Sequence, residues 1–442
     1  MSTSTPLPHV VSQGPLELWR YFNEPQFTYA RLRERFGPLA PGRFAGQDHV
    51  IVLTAEGAQQ VFASDPAGYD AFFKEGFTAI AGPASLWVLT GAAHRRDRQL
   101  FTPAVHASHF RKHGITIRDI TRHYLEKWQP GQTLKAFDTT LAISRDVIMR
   151  LVFGAGEEEL MNEGREILHE LSRASNPLIV FIAQLQRPWF PPWRRYARAK
   201  EHFTDWVNRF LFARRMRGGE TDDVVASMLA ARYDDGSLMR DEEIRDELIT
   251  VLIGGHETTA AVLAWALYEL SRHPAALAKL RAELEKSGAE TNPSLVVKLP
   301  YLGAVCDETV RLHPILAECA RLLTEPLEIL GHTIPAGTVL IVSILAIHHD
   351  PELYPEPNRF NPERFIERTY SRSEFLPFGG AHRRCLGAAL SEYETRIALA
   401  EIVTHWDFES AAVDRDVRHG VPMGPKHGVP LHIVGRRSMN FS

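Results

Sequence analysis

Cys385 stands in the run Phe378-Gly379-Gly380-Ala381-His382-Arg383-Arg384-Cys385-Leu386-Gly387. Glycines around a thiol let the backbone approach something flat, and the two arginines suit carboxylates. Residues 386–402 read as a helix. Cys385 therefore lies just before a helix N-terminus, where N–H groups and the dipole favour a thiolate. A metal would lower the thiol further, and soft sulfur suits iron. A lone cysteine at a turn is more often a small buried hydrophobe. Only its surroundings argue otherwise here.

A second cluster lies within residues 241–272, a helical pattern opened by Asp241, Glu242 and Glu243. Such acids suit a helix N-terminus. Its centre reads Gly254-Gly255-His256-Glu257-Thr258-Thr259. Two mid-helix glycines cost roughly 1 kcal/mol each relative to alanine. A close helix crossing would explain them. So would a planar ligand approaching the backbone, beside a threonine hydroxyl able to bend the helix and donate a hydrogen bond. Adjacent residues do not share a helical face, so Glu257 and Thr258 point different ways.

Glu308 and Arg311 are three apart and share a helical face, and Pro362-Glu363-Arg364-Phe365 follows downstream. Alone, a Glu/Arg pair at that spacing is usually a solvated surface pair worth under about 1 kcal/mol.

In their order along the chain, with the cysteine run last, the four signals resemble the cytochrome P-450 superfamily, the haem-thiolate monooxygenases, and the resemblance covers essentially the whole chain. The family's loop places Phe seven before the cysteine, Gly four before, Arg or His two before and Gly two after. Phe378, Arg383 and Gly387 match; Ala381 stands where glycine is usual. If that backbone needs φ > 0, alanine costs about 1 kcal/mol or more.

The resemblance implies a mainly α fold with a small β region, a triangular helical prism around a buried haem b. It implies one haem domain over 1–442, with an irregular segment at 1–22. Cys385 would be the axial ligand, Thr258 the alcohol facing oxygen and Glu257 the proton-relaying acid. Glu308, Arg311 and Arg364 would form a buried network; His94, Arg98, Arg321 and Arg383 would meet the haem propionates. The pocket would be lined by Phe77, Ile80, Trp87, Leu89, Leu252, Gly254, Gly255, Leu316, Glu318, Val421 and Pro422. Most are apolar, so a mid-sized hydrophobic substrate is implied: a fatty acid, terpenoid, steroid or polyketide-like compound. The reaction implied is hydroxylation or epoxidation with O2 and externally supplied electrons. Two alternatives are a peroxide-driven haem-thiolate enzyme and a non-enzymatic haem sensor or carrier.

The resemblance takes up the chain, so no fused flavin or ferredoxin module is expected and electrons would come from a separate ferredoxin or flavodoxin with its NAD(P)H-dependent reductase. Arg95, Arg96, Arg98, Arg111, Lys112, Arg383 and Arg384 would offer it a basic patch, unless they are simply a solvated charged face. A monomer is expected.

The chain's 442 residues, 44% hydrophobic and 24% charged, describe an ordinary globular protein. A net charge of −4 argues against a nucleic-acid partner. Cys306, Cys319 and Cys385 are too few for a disulfide scaffold and fit a reducing cytoplasm. Neither a secretory signal nor an apolar stretch of membrane-spanning length is apparent, so no membrane anchor is expected.

These groups need positioning elements. Helical patterns cover 26–37, 55–64, 92–112, 114–127, 139–153, 157–173, 193–213, 241–272, 274–286 and 301–312. Residues 42–46 and 49–54 read as a hairpin, and 320–340 as short strands. Ala71–Leu89 is expected to be a long loop, Asn176–Trp193 a mobile connection, and Val417–Val434 a β-hairpin.

Overall fold

The computed structural model describes residues 11–12, 15–44, 46–64, 66–103, 105, 111–154, 158–218, 222–288, 292–419 and 421–437. It is mainly helical with a small β region, as expected. At its centre runs the helix Asp241–Arg272. Glu243 caps its start by accepting the Arg240 N–H at 2.8 Å. From Thr259 to Leu270 every residue is buried, as for a helix surrounded by protein. Among the described residues it alone is long and apolar enough to cross a membrane, but most of that stretch is buried inside the protein.

Helices Ala136–Phe153 and Ala388–His405 flank this centre. A Cβ on Gly255 would lie 3.1 Å from Ile148, so this glycine serves a close crossing. Thr140 donates to the Ala260 carbonyl at 2.9 Å, and Thr259 donates to the Ser391 hydroxyl at 3.1 Å.

The main sheet has six strands, in the order Val11–Ser12, Leu39–Phe44, Gln47–Val52, Val339–Ser343, Glu318–Leu323 and Tyr69–Ala71. The expected hairpin is present, begun a few residues earlier, with Gly42 opposite His49. Val50, Val52, Leu340 and Val342 fill one core together.

Five expectations are corrected. The 1–22 segment, expected irregular, carries the strand Val11–Ser12 and a helix, Pro15–Asn23. Within Ala71–Leu89 lies a helix, Lys74–Ala81, whose period was masked by aromatics that pack in three dimensions: Phe73 against Phe181, Phe77 against Trp87. Asn176–Trp193 contains the helix Pro177–Phe181, with the Asn176 side chain capping the Leu178 N–H at 2.9 Å. The tail is not one hairpin. Asp416–Arg418 pairs with Met423–Pro425, whereas Pro430–Arg436 pairs with Trp406–Ser410 and Thr133–Lys135. The helix expected over 92–112 ends at Phe101, and 106–110 lie outside the described residues.

Three buried polar knots tie these elements together. Glu308 and Arg311, both 0% exposed, form a bidentate pair at 2.6 and 2.8 Å. Arg364 donates to the same carboxylate at 3.0 Å, as does the Asn361 N–H at 2.9 Å. The remaining guanidinium bonds reach the carbonyls of His348, Pro355, Pro357 and Arg359. The network is satisfied throughout, and breaking such a pair typically costs about 3–5 kcal/mol.

The second knot is Glu318. Its carboxylate accepts from Tyr21, Tyr29 and Arg418, each at 2.6 Å, pinning the N-terminal helices to the tail. Burial pushes this carboxyl up, but Arg418 and the two tyrosine hydroxyls together outweigh it and hold the group below its ordinary range.

The third is His313, whose ring stacks on Trp265 with centroids 3.9 Å apart. One ring nitrogen meets Glu269 at 2.9 Å and the other Asp416 at 2.7 Å. Burial alone would depress the imidazole; the two carboxylates, Asp416 foremost, reverse this and hold it at about 9. A group raised on folding lends its stability in full below its unfolded value of about 6.5 and loses it as pH climbs past the folded value. Urea midpoints should therefore fall between about pH 6.5 and pH 9, and His313→Gln should flatten that slope.

Candidate active site

The cysteine loop is built by short local bonds. Gly379, at φ 68°, donates to the Leu376 carbonyl at 3.0 Å, and the Arg384 N–H reaches Ala381 at 3.1 Å. The Cys385 N–H closes the loop on the Phe378 carbonyl at 3.0 Å, and the Arg384 guanidinium lies 5.7 Å from the Phe378 ring centre. Ala381 has φ 55°, so the left-handed conformation that favours glycine is indeed required there. The following helix begins at Ala388, two residues later than expected.

Cys385 carries accessible surface, yet burial is the largest influence on its thiol and pushes it up. The N–H groups of Gly387 and Ala388 and the charges of Arg384 and Arg98 act the other way without prevailing. Helix-terminal stabilisation alone, expected from the sequence, does not make this a thiolate. A cation on sulfur would.

Beside the loop, arginines and histidines collect from three segments. His94 is buried on the helix Gly91–Phe101 and meets His382 edge-on, centroids 5.9 Å apart. Arg98 donates to the Arg384 carbonyl at 2.5 Å, and Arg321 to Gly380 at 3.1 Å. Arg383 donates to Leu86 at 3.1 Å and also to Leu89. These bonds go to main-chain carbonyls, so the positive charges stay largely unneutralised. Burial, then Arg321, draws Arg383 down to about 10 despite the opposing pull of Asp70. Burial, then Arg383, Arg98, His382 and Arg321, takes His94 to about 3. His382 falls to about 4, through burial and then Arg321, and its buried Nδ1 has no hydrogen-bond partner.

On the central helix, Thr258 donates to the Gly254 carbonyl at 2.7 Å. Glu257 is half-buried, and burial raises its carboxyl although a Ser172 hydrogen bond opposes this. Ser172 also lies 3.2 Å from His256 Nε2, while His256 Nδ1 meets the Leu252 carbonyl at 2.6 Å.

The expected pocket residues divide. Phe77, Ile80, Trp87 and Val421 pack on one apolar cluster, and a Cβ on Gly254 would lie 3.3 Å from the Trp87 ring. Leu89 contributes its carbonyl to Arg383. Leu252 is fully buried in the core, and Gly255 faces Ile148. Leu316 is 37% exposed; Pro422 accepts the His419 N–H at 3.1 Å. Glu318, the one polar pocket candidate, has its oxygens engaged by two tyrosines and an arginine.

The expected basic patch is thinner than its sequence. Arg96 pairs with Asp97 at 2.6 Å, Lys112 pairs with Asp222, and Arg98 and Arg383 join the inner cluster. Arg95 and Arg384 remain exposed. The Arg111 side chain lies outside the described residues.

Comparison with known proteins supplies the deciding observation: the family model described as Cytochrome P-450 matches residues 3–428. This chain belongs to the cytochrome P-450 superfamily. A Mycobacterium tuberculosis protein described as cytochrome P-450 138 is 32% identical, over 96% of this chain and 97% of its own. Another from that organism, cytochrome P-450 135B1, is 30% identical over 92% and 87%. The solved structure of retinoic acid bound cyanobacterial CYP120A1 superposes with a TM-score of 0.86, covering 98% of this chain and all of its own, at 23% identity.

A cytochrome P-450 holds haem, and the residues present fit one. Cys385 carries accessible surface, so the sulfur is open to a ligand. The cluster of Arg98, Arg321 and Arg383, of which Arg321 is buried and the others half-buried, calls for a multiply charged anion, as two propionates would be. His382, beside His94, was missed by sequence reasoning although it sat inside the quoted run. Ser172 was missed because nothing local links 172 to 257. Since Ala381 occupies a left-handed position, Ala381→Gly should stabilise this cytochrome P-450 by about 1 kcal/mol, read as a higher thermal midpoint. Gly380→Ala should do the reverse, because its Cβ would meet the Phe62 ring at 2.5 Å.

Proposed function

We propose that this chain is a single-domain, O2-dependent monooxygenase in which Cys385 is the axial thiolate of haem b, acting on a mid-sized hydrophobic substrate. The observation that carries the reading is the glycine-flanked Cys385, bonded by the Gly387 and Ala388 amides, beside the buried His94 and Arg321 and the half-buried Arg98 and Arg383. When bound, the haem supplies dioxygen activation and transfer of one oxygen atom to carbon.

The protein's part is positioning, proton supply and exclusion of water. Cys385 Sγ would bind the iron, with two N–H donors tempering its charge. The arginines and His94 would hold the propionates, so that haem binding also relieves the repulsion among the arginines. Thr258 keeps its hydroxyl on the Gly254 carbonyl, ready to pass a proton. Glu257, raised by burial, stays partly protonated closer to neutrality than an ordinary carboxylate and exchanges protons through Ser172. This acid–alcohol pair favours reductive oxygen activation over peroxide-driven turnover. Phe77, Trp87 and Val421 give an apolar wall suited to a fatty acid, terpenoid, steroid or polyketide-like compound. Electrons would come from a ferredoxin or flavodoxin and its NAD(P)H-dependent reductase, met by the exposed Arg95 and Arg384. We place the protein in the cytoplasm as a monomer.

Cys385→Ser should abolish the thiolate-type carbon-monoxide spectrum of the reduced protein; its persistence would remove Cys385 as ligand. Thr258→Ala should keep haem yet lower product formed per NAD(P)H consumed by roughly tenfold. Unchanged coupling, measured with surrogate redox partners, would take Thr258 out of the mechanism.

A further inference from the structure

Glu247 is a buried carboxyl that the reaction above leaves unused. Its residue is 1% exposed, Oε1 accepts the Leu86 N–H at 2.8 Å, and Oε2 is buried with no hydrogen-bond partner. Residues 247, 250, 254 and 258 recur at helical spacing on one face of the central helix. That face meets the segment Ala84–Leu89. Asp246, adjoining it, accepts the Ala84 N–H at 2.9 Å. Thr250 and Ser85 join their hydroxyls at 2.7 Å, and Gly254 receives the Trp87 ring. The other side of the segment is held from the cysteine loop, where Arg383 bonds the Leu86 and Leu89 carbonyls. Leu86 is thus gripped at its N–H by the central helix and at its carbonyl by a propionate-side arginine. The next residue carries the indole that Gly254 makes room for.

We propose that Glu247 is a positioning residue for substrate selection: by holding the Leu86 amide it sets the depth of Trp87 over Gly254, and so the room left for a bulky apolar substrate beside Thr258. The inference rests on the haem-thiolate reading. Glu247 contributes here as a hydrogen-bond acceptor, not as a charge. Its named electrostatic neighbours, Asp97 and Asp246, are both acidic, and burial first of all holds its carboxyl well above the usual range. Glutamine, which retains the carbonyl, should therefore replace it; leucine, which cannot accept, should not.

The test compares the wild type, Glu247→Gln and Glu247→Leu as haem-loaded proteins. Hydrogen exchange is followed at Leu86 and Trp87, and spectral dissociation constants are taken for a fatty acid and a steroid. In Glu247→Leu, protection at Leu86 should fall by roughly tenfold, and the ratio of the two dissociation constants should change by a similar factor. Glu247→Gln should keep both near wild type, and both variants should keep the thiolate spectrum. Unchanged protection and ratio in Glu247→Leu would overturn the inference while leaving the proposed function intact. Lack of a thiolate spectrum in the wild type would overturn both. Should Glu247→Leu not fold, the wild type decides: a Leu86 amide exchanging as fast as an exposed loop amide would refute the grip.

Discussion

Glu308 is the carboxylate on which the arrangement around Cys385 depends. It lies at the meeting point of the helix Pro300–Leu312 and the coil that leads into the cysteine loop. A buried anion is tolerable only when fully compensated, and here Arg311, Arg364 and the Asn361 amide supply that compensation together. Arg311 goes on to hold the carbonyls of His348 and Pro357. His348 in turn accepts the Leu376 N–H at 3.0 Å, two residues before Phe378. One ion cluster thereby fixes a proline-rich coil that has no ladder of its own.

On that rigid base the loop can hold conformations it would not choose alone. Ala381 sits at positive φ where a glycine would be at ease, and cations crowd beside it. Both are local costs that functional sites commonly carry. The second has an evident use, since a set of buried and half-buried arginines bonded to main-chain carbonyls is a standing demand for an anionic ligand. The Cys385 thiol is in the same condition: burial resists the thiolate, so the sulfur is better suited to a bound cation than to remaining free.

The central helix shows how a few residues serve several surfaces. Gly254 makes room for Trp87, whereas Gly255 admits Ile148 from the neighbouring helix. Of the two explanations open for the glycine pair, the close helix crossing holds for Gly255, while the neighbour at Gly254 is a side chain of the protein itself. Thr258 and Thr259 divide likewise, the first bonding Gly254 and the second reaching Ser391 on the helix that follows the cysteine.

Signals confined to one helix or one loop were legible in the sequence: the 241–272 helix, the Glu308–Arg311 spacing, the Cys385 run and the left-handed demand at Ala381. Each follows from local periodicity or backbone sterics, which a chain carries with it. Partners separated by many residues were not legible. Tyr21 and Tyr29 meeting Glu318, Ser172 meeting His256, and Pro430–Arg436 pairing with Thr133–Lys135 exist only once distant segments are packed. Glu318 looked available because no local pattern names its partners, and Lys74–Ala81 looked like loop because its aromatic contacts lie elsewhere in the chain. Sequence alone determined which chemistry the residues could perform. Tertiary packing decided which polar groups were left free to perform it, because a buried carboxylate or guanidinium takes whatever partner the fold brings within reach.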